Sequence, residues 1–427
     1  QLKYRKEIDG LRAIAVLSVI FYHAGFDFFS GGYVGVDIFF VISGYLITLI
    51  ILTDLNKNEF TLLHFYERRI RRILPALFLI ILIFLPFSFY LTTPHHIKDY
   101  SQALASISVF SSNFLFWYES GYFDTASELK PLIHTWSLSV EEQFYLFFPI
   151  LMIILFKTNV RIALLIITLI LVLSIVVSNY LSIVKPELNF FLMPTRIWEL
   201  LIGSLGGFTT YYQKFGIQKF QKNNLFSFIG LMLILIPMHI FDDKTPYPSY
   251  WTLVPTLGTL FLILFATDKT IVGKFLSLKF FVAIGLISYS TYLWHQPIFA
   301  FTRHGLSYEP PIFVFMLLIF VTFTLSFFTW KYIEHPFRDK NKVSRKTIFF
   351  LSAIFTFVIF TLGVIGHLTE GYKNLWYNYF PDKKNVYSLI IDAKKKVQYD
   401  EKECVLGIDK LDEIIVNKLK KCSQKYG

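Results

Sequence analysis

Twelve apolar runs, separated by loops that hold most of the positive charge, constrain this chain more than any other feature. They fall at about 11–29, 33–52, 74–92, 100–117, 137–156, 162–184, 194–210, 225–241, 250–266, 280–301, 311–330 and 347–367. Runs of this length suit membrane-spanning helices, several of them close to the lower limit of about 17 residues. The expected fold is all-α, a polytopic membrane helix bundle, and a hydrophobic content of 54% with 19% aromatics agrees with it. The net charge of +11 would suit a nucleic-acid partner if it were gathered in one patch. It is instead spread through the loops between apolar runs, as membrane insertion requires, so no nucleic-acid partner is expected.

The charges also set the expected topology. Basic stretches at Lys3–Lys6, Arg68–Arg72, Lys157–Arg161, Lys214–Lys222, Lys269–Lys279 and Lys331–Lys346 should all face the cytoplasm. That requires one run between Pro75 and Phe156 not to cross. The run 100–117 is the most polar, with Ser101, Gln102, Ser106, Ser108, Ser111, Ser112 and Asn113. It reads as re-entrant, or as lying against the outer side of the bundle, where polar backbone must be covered by protein. About 11 spans follow, with the N-terminus inside and the C-terminus outside. No small-residue cleavage site follows the first run, which reads as an uncleaved signal-anchor. Three units are expected: a membrane domain over 1–340, an additional transmembrane helix within 341–370, and a short soluble tail over 371–427. Both cysteines, Cys404 and Cys422, lie in that tail, either paired or as two free thiols. No apolar run carries a thiol and no zinc spacing occurs, so neither a metal site nor a cysteine nucleophile is expected.

Several ionisable residues stand inside or beside the apolar runs, where an arginine at the centre costs about 2.5–3.5 kcal/mol. Arg12 and His23 are eleven residues apart in the first run. On a helix they differ by only about 20° in direction and are roughly 16 Å apart along the axis. Each read alone could be an interfacial anchor or a satisfied core residue. Asp37 follows a Gly31-Gly-Tyr-Val-Gly35 turn at a depth that could match His23 in a helical hairpin. It could equally be a helix N-terminal acid stabilised by the dipole. Arg69 and Arg72 belong to a cluster of four arginines in 68–72. Guanidinium groups clamp phosphates bidentately, and such a cluster also serves as a headgroup and orientation signal. Ser137 and Glu141 share a helix face one turn apart, beside Trp136 in His134-Thr-Trp-Ser. Arg196 and Glu199 have helical spacing and could satisfy each other, and His295 lies in Tyr292-Leu-Trp-His.

Taken together, these blocks resemble the acyltransferase-3 family of membrane acyltransferases. The resemblance rests on Glu7-Ile-Asp-Gly-Leu-Arg with Arg12 and His23 eleven apart, Gly32-Tyr-Val-Gly-Val-Asp-Ile-Phe-Phe-Val-Ile-Ser-Gly, and the arginine-rich approach to Pro75. It continues through His134-Thr-Trp-Ser-Leu-Ser-Val-Glu-Glu-Gln-Phe-Tyr, Tyr292-Leu-Trp-His and Glu334-His-Pro-Phe-Arg, in family order across about residues 5–340. It implies an enzyme of the bacterial inner membrane that moves an acyl group, usually acetyl from acetyl-CoA, toward a surface glycan such as lipopolysaccharide O-antigen. Acetyl-CoA would be the donor substrate and a glycan or lipid-linked glycan the acceptor. The matching functional positions are Arg12, His23, Arg69, Arg72, Ser137 and Glu141.

On this reading the donor phosphates dock on Arg12, Arg69 and Arg72, and the thioester reaches toward His23 as base or transient acyl carrier. Glu141 or Asp37 would orient the imidazole, and Ser137 would bond the acyl group or donor. Trp136, Arg196 and His295 are further candidates. The last run and tail resemble the subfamily that appends an outer SGNH-hydrolase-like domain. No Gly-Asp-Ser block stands in the 427 residues, which implies that further sequence or a separate protein completes transfer. Two other classes remain open on residues alone: a transporter or flippase of an anionic or glycolipid substrate, and a sensory membrane anchor.

Overall fold

The computed structural model of the protein describes residues 4–120, 126–212, 223–306, 310–384 and Tyr387. These residues are helical, with no strand among them. In chain order the helices are α1 (Lys6–His23), α2 (Gly35–Asn56), α3 (Leu62–Leu91), α4 (Pro94–Ser108), α5 (Ser112–Tyr118), α6 (Thr135–Phe156), α7 (Val160–Val184) and α8 (Pro186–Phe191). They continue as α9 (Met193–Tyr212), α10 (Asn224–Ile240), α11 (Leu253–Phe265), α12 (Ile271–Leu276), α13 (Lys279–Gly305), α14 (Ile312–Thr329), α15 (His335–Arg338), α16 (Arg345–Leu368) and α17 (Lys373–Tyr379). A single π-turn over Trp330–Glu334 joins α14 to α15.

Six rods are long and apolar enough to cross a membrane: α2, α3, α6, α7, the continuous α14–α15 unit and α16. Helices α1, α9 and α13 have 18, 20 and 27 residues and also carry buried charged side chains. Helices α10 and α11 are shorter and apolar. With these the bundle has a helix for each of the eleven expected traversals. Two sets of long-range bonds define its ends. At one, Arg345 Nε meets Glu67 at 2.6 Å, Arg71 donates to the Phe337 carbonyl at 3.1 Å and Arg5 to that of Ala266 at 3.0 Å. At the other, Arg303 donates to the His23 carbonyl at 3.0 Å, Tyr33 to that of Asp242 at 3.3 Å and Trp376 to that of Thr92 at 3.2 Å. The basic stretches around 68–72, 269–279 and 331–346 share the first end; Lys214–Lys222 lies outside the described residues.

Burial places α2 at the centre. Its most apolar window is 78% buried, against 22% for α7 and for α16, whose Leu165, Leu169, Leu173, Phe350 and Phe357 face outward. Lipid is as apolar as a leucine side chain, so helices associate by close packing through small residues. The α2–α9 crossing shows this. A Cβ on Gly44 would lie 1.8 Å from the Leu200 carbonyl oxygen, and one on Gly203 would lie 1.9 Å from that of Val41.

The polar run 100–117 is where sequence and structure meet most directly. It forms two short helices, α4 and α5, broken at 109–111, where Phe110 takes a left-handed φ of 51°. The break lies level with Gln143, eight residues or roughly 12 Å into α6. There Gln143 donates to the Phe110 carbonyl and to Asn113 Oδ1, each at 2.9 Å, and Ser112 bonds Ser139 at 2.8 Å. The serines and amides that weaken this run as a span are the groups that satisfy a backbone folding back on itself.

Beyond α16 the chain turns onto α4. Trp376 and Tyr387 pack on Ile97, and Glu370 accepts two bonds from Lys98 at 2.9 and 2.8 Å, which hold its carboxyl below the usual range. The rest of the tail, with Cys404 and Cys422, lies outside the described residues.

Candidate active site

Five helices enclose a cavity of about 860 Å³, its mouth included. Helix α2 lines it along one whole stripe, from Val36 through Phe39, Phe40 and Ser43 to Leu46 and Ile47. Eleven residues of helix make that stripe roughly 16 Å long. Arg12 of α1 with Arg69 and Arg72 of α3 line the end near Leu46 and Ile47. Ser137 of α6 and Tyr292 of α13 line the end near Val36 and Phe39, with Glu141 and Tyr145 between. The predicted donor and acyl ends therefore belong to one continuous space.

The four arginines of 68–72 divide cleanly in two. Arg68 pairs with Asp54 at 2.8 Å and Arg71 with Glu67 at 3.0 Å. Arg69 and Arg72, three residues apart on α3, both line the cavity, and no carboxylate lies within ion-pair distance of either among the described residues. Arg69 packs its guanidinium 5.7 Å from the Tyr145 ring, and its buried Nε has no acceptor. Arg12 is steadied by Asp9 at 2.8 Å. Guanidinium groups are suited to clamp phosphate-like anions, and three of them line one end of this cavity.

Midway along, Ser43 donates to Glu141 Oε1 at 2.9 Å and Tyr145 to Oε2 at 3.2 Å. At the far end the Tyr292 hydroxyl shares a bond with Ser137 at 2.7 Å and reaches the His134 carbonyl at 2.9 Å. Beyond Tyr292 lie three imidazoles. The His295 ring centroid is 5.2 Å from that of His23 and 5.5 Å from that of His134. His23 Nδ1 meets the Val19 carbonyl at 2.9 Å, and His295 Nδ1 meets that of Tyr292 at 2.6 Å. A carbonyl only accepts, so in both rings Nδ1 carries the proton and Nε2 the lone pair. His295 Nε2 and both His134 nitrogens are buried without a hydrogen-bond partner. Among the described residues no group of His, Cys, Asp or Glu is placed to hold a metal.

Two expectations about His23 change. Neither Asp37 nor Glu141 orients it: its bonding partner is backbone, and the rings beside it are those of Tyr22 and His295, each 5.2 Å away between centroids. Glu141 is occupied by Ser43 and Tyr145. Asp37 accepts from the Tyr247 hydroxyl at 2.6 and 2.7 Å and lies 3.5 Å from Arg196, which also meets Glu199 at 3.0 Å. The side chains of Asp37, Arg196 and Glu199 are fully buried, and the Arg196 guanidinium lies 5.0–5.6 Å from the rings of Tyr247, Trp136, Phe40 and Phe190. This cluster braces Phe40, which is part of the cavity wall, and Trp136 behind it. The hairpin packs Gly35 against Ala15 and Val19, so Asp37 lies deeper than His23 and not level with it, and α9 and Tyr247, over 150 residues away in the chain, claim its carboxylate.

Sequence reasoning passed over His134 and Tyr292. Span parity would have found the first, since the start of α6 must stand level with the end of α1. The Tyr292–Ser137 bond depends on how α13 is rotated, which no local pattern shows.

The fold and cavity define a multi-pass membrane protein with an internal, cation-mouthed site. Residues 5–331 match the acyltransferase-3 family, described as an acyltransferase domain, and the chain belongs to that family. It is 33% identical over 356 residues to the O-acetyltransferase OatA of Staphylococcus aureus strain NCTC 8325, covering 79% of this chain and 58% of that one. It is 31% identical over 393 residues to the peptidoglycan O-acetyltransferase OatA of Listeria monocytogenes, covering 85% and 63%. With the putative peptidoglycan O-acetyltransferase YrhL of Bacillus subtilis it shares 30% over 354 residues, covering 79% and 56%. The chain thus spans less than two thirds of the length of these relatives. No solved structure matches.

The two arginine environments predict opposite outcomes. Arg196→Ala strands two buried carboxylates and should destabilise the fold by about 3–5 kcal/mol. Arg72→Ala removes a group with no hydrogen-bond or ion-pair partner among the described residues and should leave the melting temperature in detergent within a few degrees of the parent. Equal losses for both variants would mean that Arg72 is structural.

Proposed function

We propose that the protein is a membrane O-acetyltransferase that passes an acetyl group from a cytoplasmic CoA thioester to a surface glycan. One observation carries this reading: Arg69 and Arg72, arginines without carboxylate partners, share with Arg12 the mouth of a cavity whose far end is a serine–tyrosine pair backed by three imidazoles. Phosphates of the donor bind at the arginines, and the pantetheine arm lies along the α2 stripe. The acyl carbonyl then rests near Ser137 and Tyr292, whose hydroxyls can donate to it. The His23 Nε2 lone pair acts as base or transient acyl carrier, with His295 and His134 beside it as further proton acceptors. In the transfer the thioester C–S bond breaks, the acceptor oxygen forms the new ester, and its proton passes through His23 to the departing thiolate.

The printed names of two relatives favour peptidoglycan over lipopolysaccharide O-antigen as the acceptor. An SGNH-like domain or separate protein would complete delivery outside. The arginine end faces the cytoplasm of a bacterial inner membrane and the α4–α17 end faces outward, because the basic loops gather at the former. A transporter or flippase would need the cavity to open at both ends, whereas Tyr292 and the histidine cluster stand across one.

Purified protein incubated with labelled acetyl-CoA should release CoA. His23→Ala should lower that rate by about 10²–10⁴-fold while the protein still inserts. The double variant Arg69→Ala/Arg72→Ala should chiefly raise KM. Near-parent turnover in His23→Ala would remove the mechanism, and no CoA release by the parent would favour a transporter.

Sidedness is tested separately, in a variant lacking Cys404 and Cys422. A membrane-impermeant maleimide on spheroplasts should label Glu187→Cys and spare Asn159→Cys until permeabilisation. The reverse pattern would invert the assignment of the two ends.

A further inference from the structure

The wall between the cavity and the histidines is one residue deep. Tyr292 lines the cavity, and its ring also lies 5.4 Å from both His134 and His295, neither of which lines it. Two hydroxyl contacts, to Ser137 at 2.7 Å and to the His134 carbonyl at 2.9 Å, hold that ring. Phe39, on the neighbouring turn of α2, meets it edge-on with centroids 6.2 Å apart and planes 61° apart. Phe40 backs the same end and is itself packed 6.2 Å from Trp136, which stacks over Arg196 at 5.1 Å. The far end of the cavity is therefore shaped by aromatic rings fixed by hydrogen bonds and by a buried ion cluster, and these rings cannot easily yield to a longer chain.

We propose that the Phe39–Tyr292 pair determines which acyl group the enzyme accepts, by limiting the space beyond the thioester to a two-carbon unit. The inference rests on the acyl-CoA reading above. On that reading the carbonyl of a bound thioester lies near Ser137, on the cavity side of Tyr292, and any further methylenes must displace Phe39 or Tyr292. A pocket that closes on an extra methylene discriminates by roughly 10–200-fold. Phe39 has no side-chain hydrogen-bonding group, so its size can be changed without removing a hydrogen bond.

The experiment compares acetyl-CoA with butyryl-CoA by CoA release from detergent-purified protein. The parent should prefer acetyl-CoA in kcat/KM by at least about tenfold. Phe39→Ala should lower that preference by about tenfold or more, and Phe39→Leu by less, both checked as monodisperse by size exclusion. Tyr292→Phe keeps the ring volume and should keep the preference, whatever it does to the rate. An unchanged ratio in both Phe39 variants, or a loss confined to Tyr292→Phe, would overturn the proposal while leaving the donor reading intact. A parent that releases CoA from neither thioester would defeat the donor reading itself, and this inference with it.

Discussion

Charge inside an apolar bundle must be answered, and this protein answers nearly all of it from within. Asp37, Arg196, Glu199 and Tyr247 form one fully buried set. Glu67 binds both Arg71 and Arg345, and Glu334 binds Ser290 and Arg338. Breaking such a set costs several kcal/mol because the group left behind stays buried. Against that background the arginines without a carboxylate stand out. Arg69 and Arg72 sit one residue away from Arg68 and Arg71 and carry the same charge, but Asp54 and Glu67 stand beside the latter two while the former two line the cavity. Arg72 lies only about 40° around the helix from Arg68, so it is the placement of Asp54 and Glu67, and not the helix period, that separates two structural ion pairs from two groups available to a ligand.

The same constraint explains the shape of the bundle. Helices α2 and α9 approach closely at Gly44 and Gly203, which brings Asp37 and Arg196 together and fixes the rings of Trp136 and Phe40 at the back of the cavity. The broken α4–α5 pair covers α6 from the other side, through Ser112, Asn113 and Gln143, and steadies the helix that carries Ser137 and Glu141. Chemistry and architecture are thus linked through a few polar contacts in an otherwise apolar protein.

What could be read in advance was whatever depended on period and composition. Arg12 and His23 fall on one helix face because eleven residues nearly complete three turns, and the serines of 100–117 mark a run that turns back. The partners of His23 and Asp37 could not be read, because they come from α13, α9 and the segment holding Tyr247, whose rotation is set by packing. His134 was passed over for a related reason. It stands at the very start of α6, where sequence shows a loop residue and the structure shows a ring 5.5 Å from His295.

The account depends on one space joining the arginines to Ser137. Its most direct measurement is thiol capture: Ser137→Cys, in a variant lacking Cys404 and Cys422, is incubated with oxidised CoA disulfide and analysed by intact mass. A CoA adduct that forms at position 137 and is suppressed when Arg69 and Arg72 are both replaced by alanine is the predicted result. No adduct, or one indifferent to the arginines, would mean that the phosphate-binding mouth and the serine–tyrosine end do not serve the same molecule, and the central claim would be wrong.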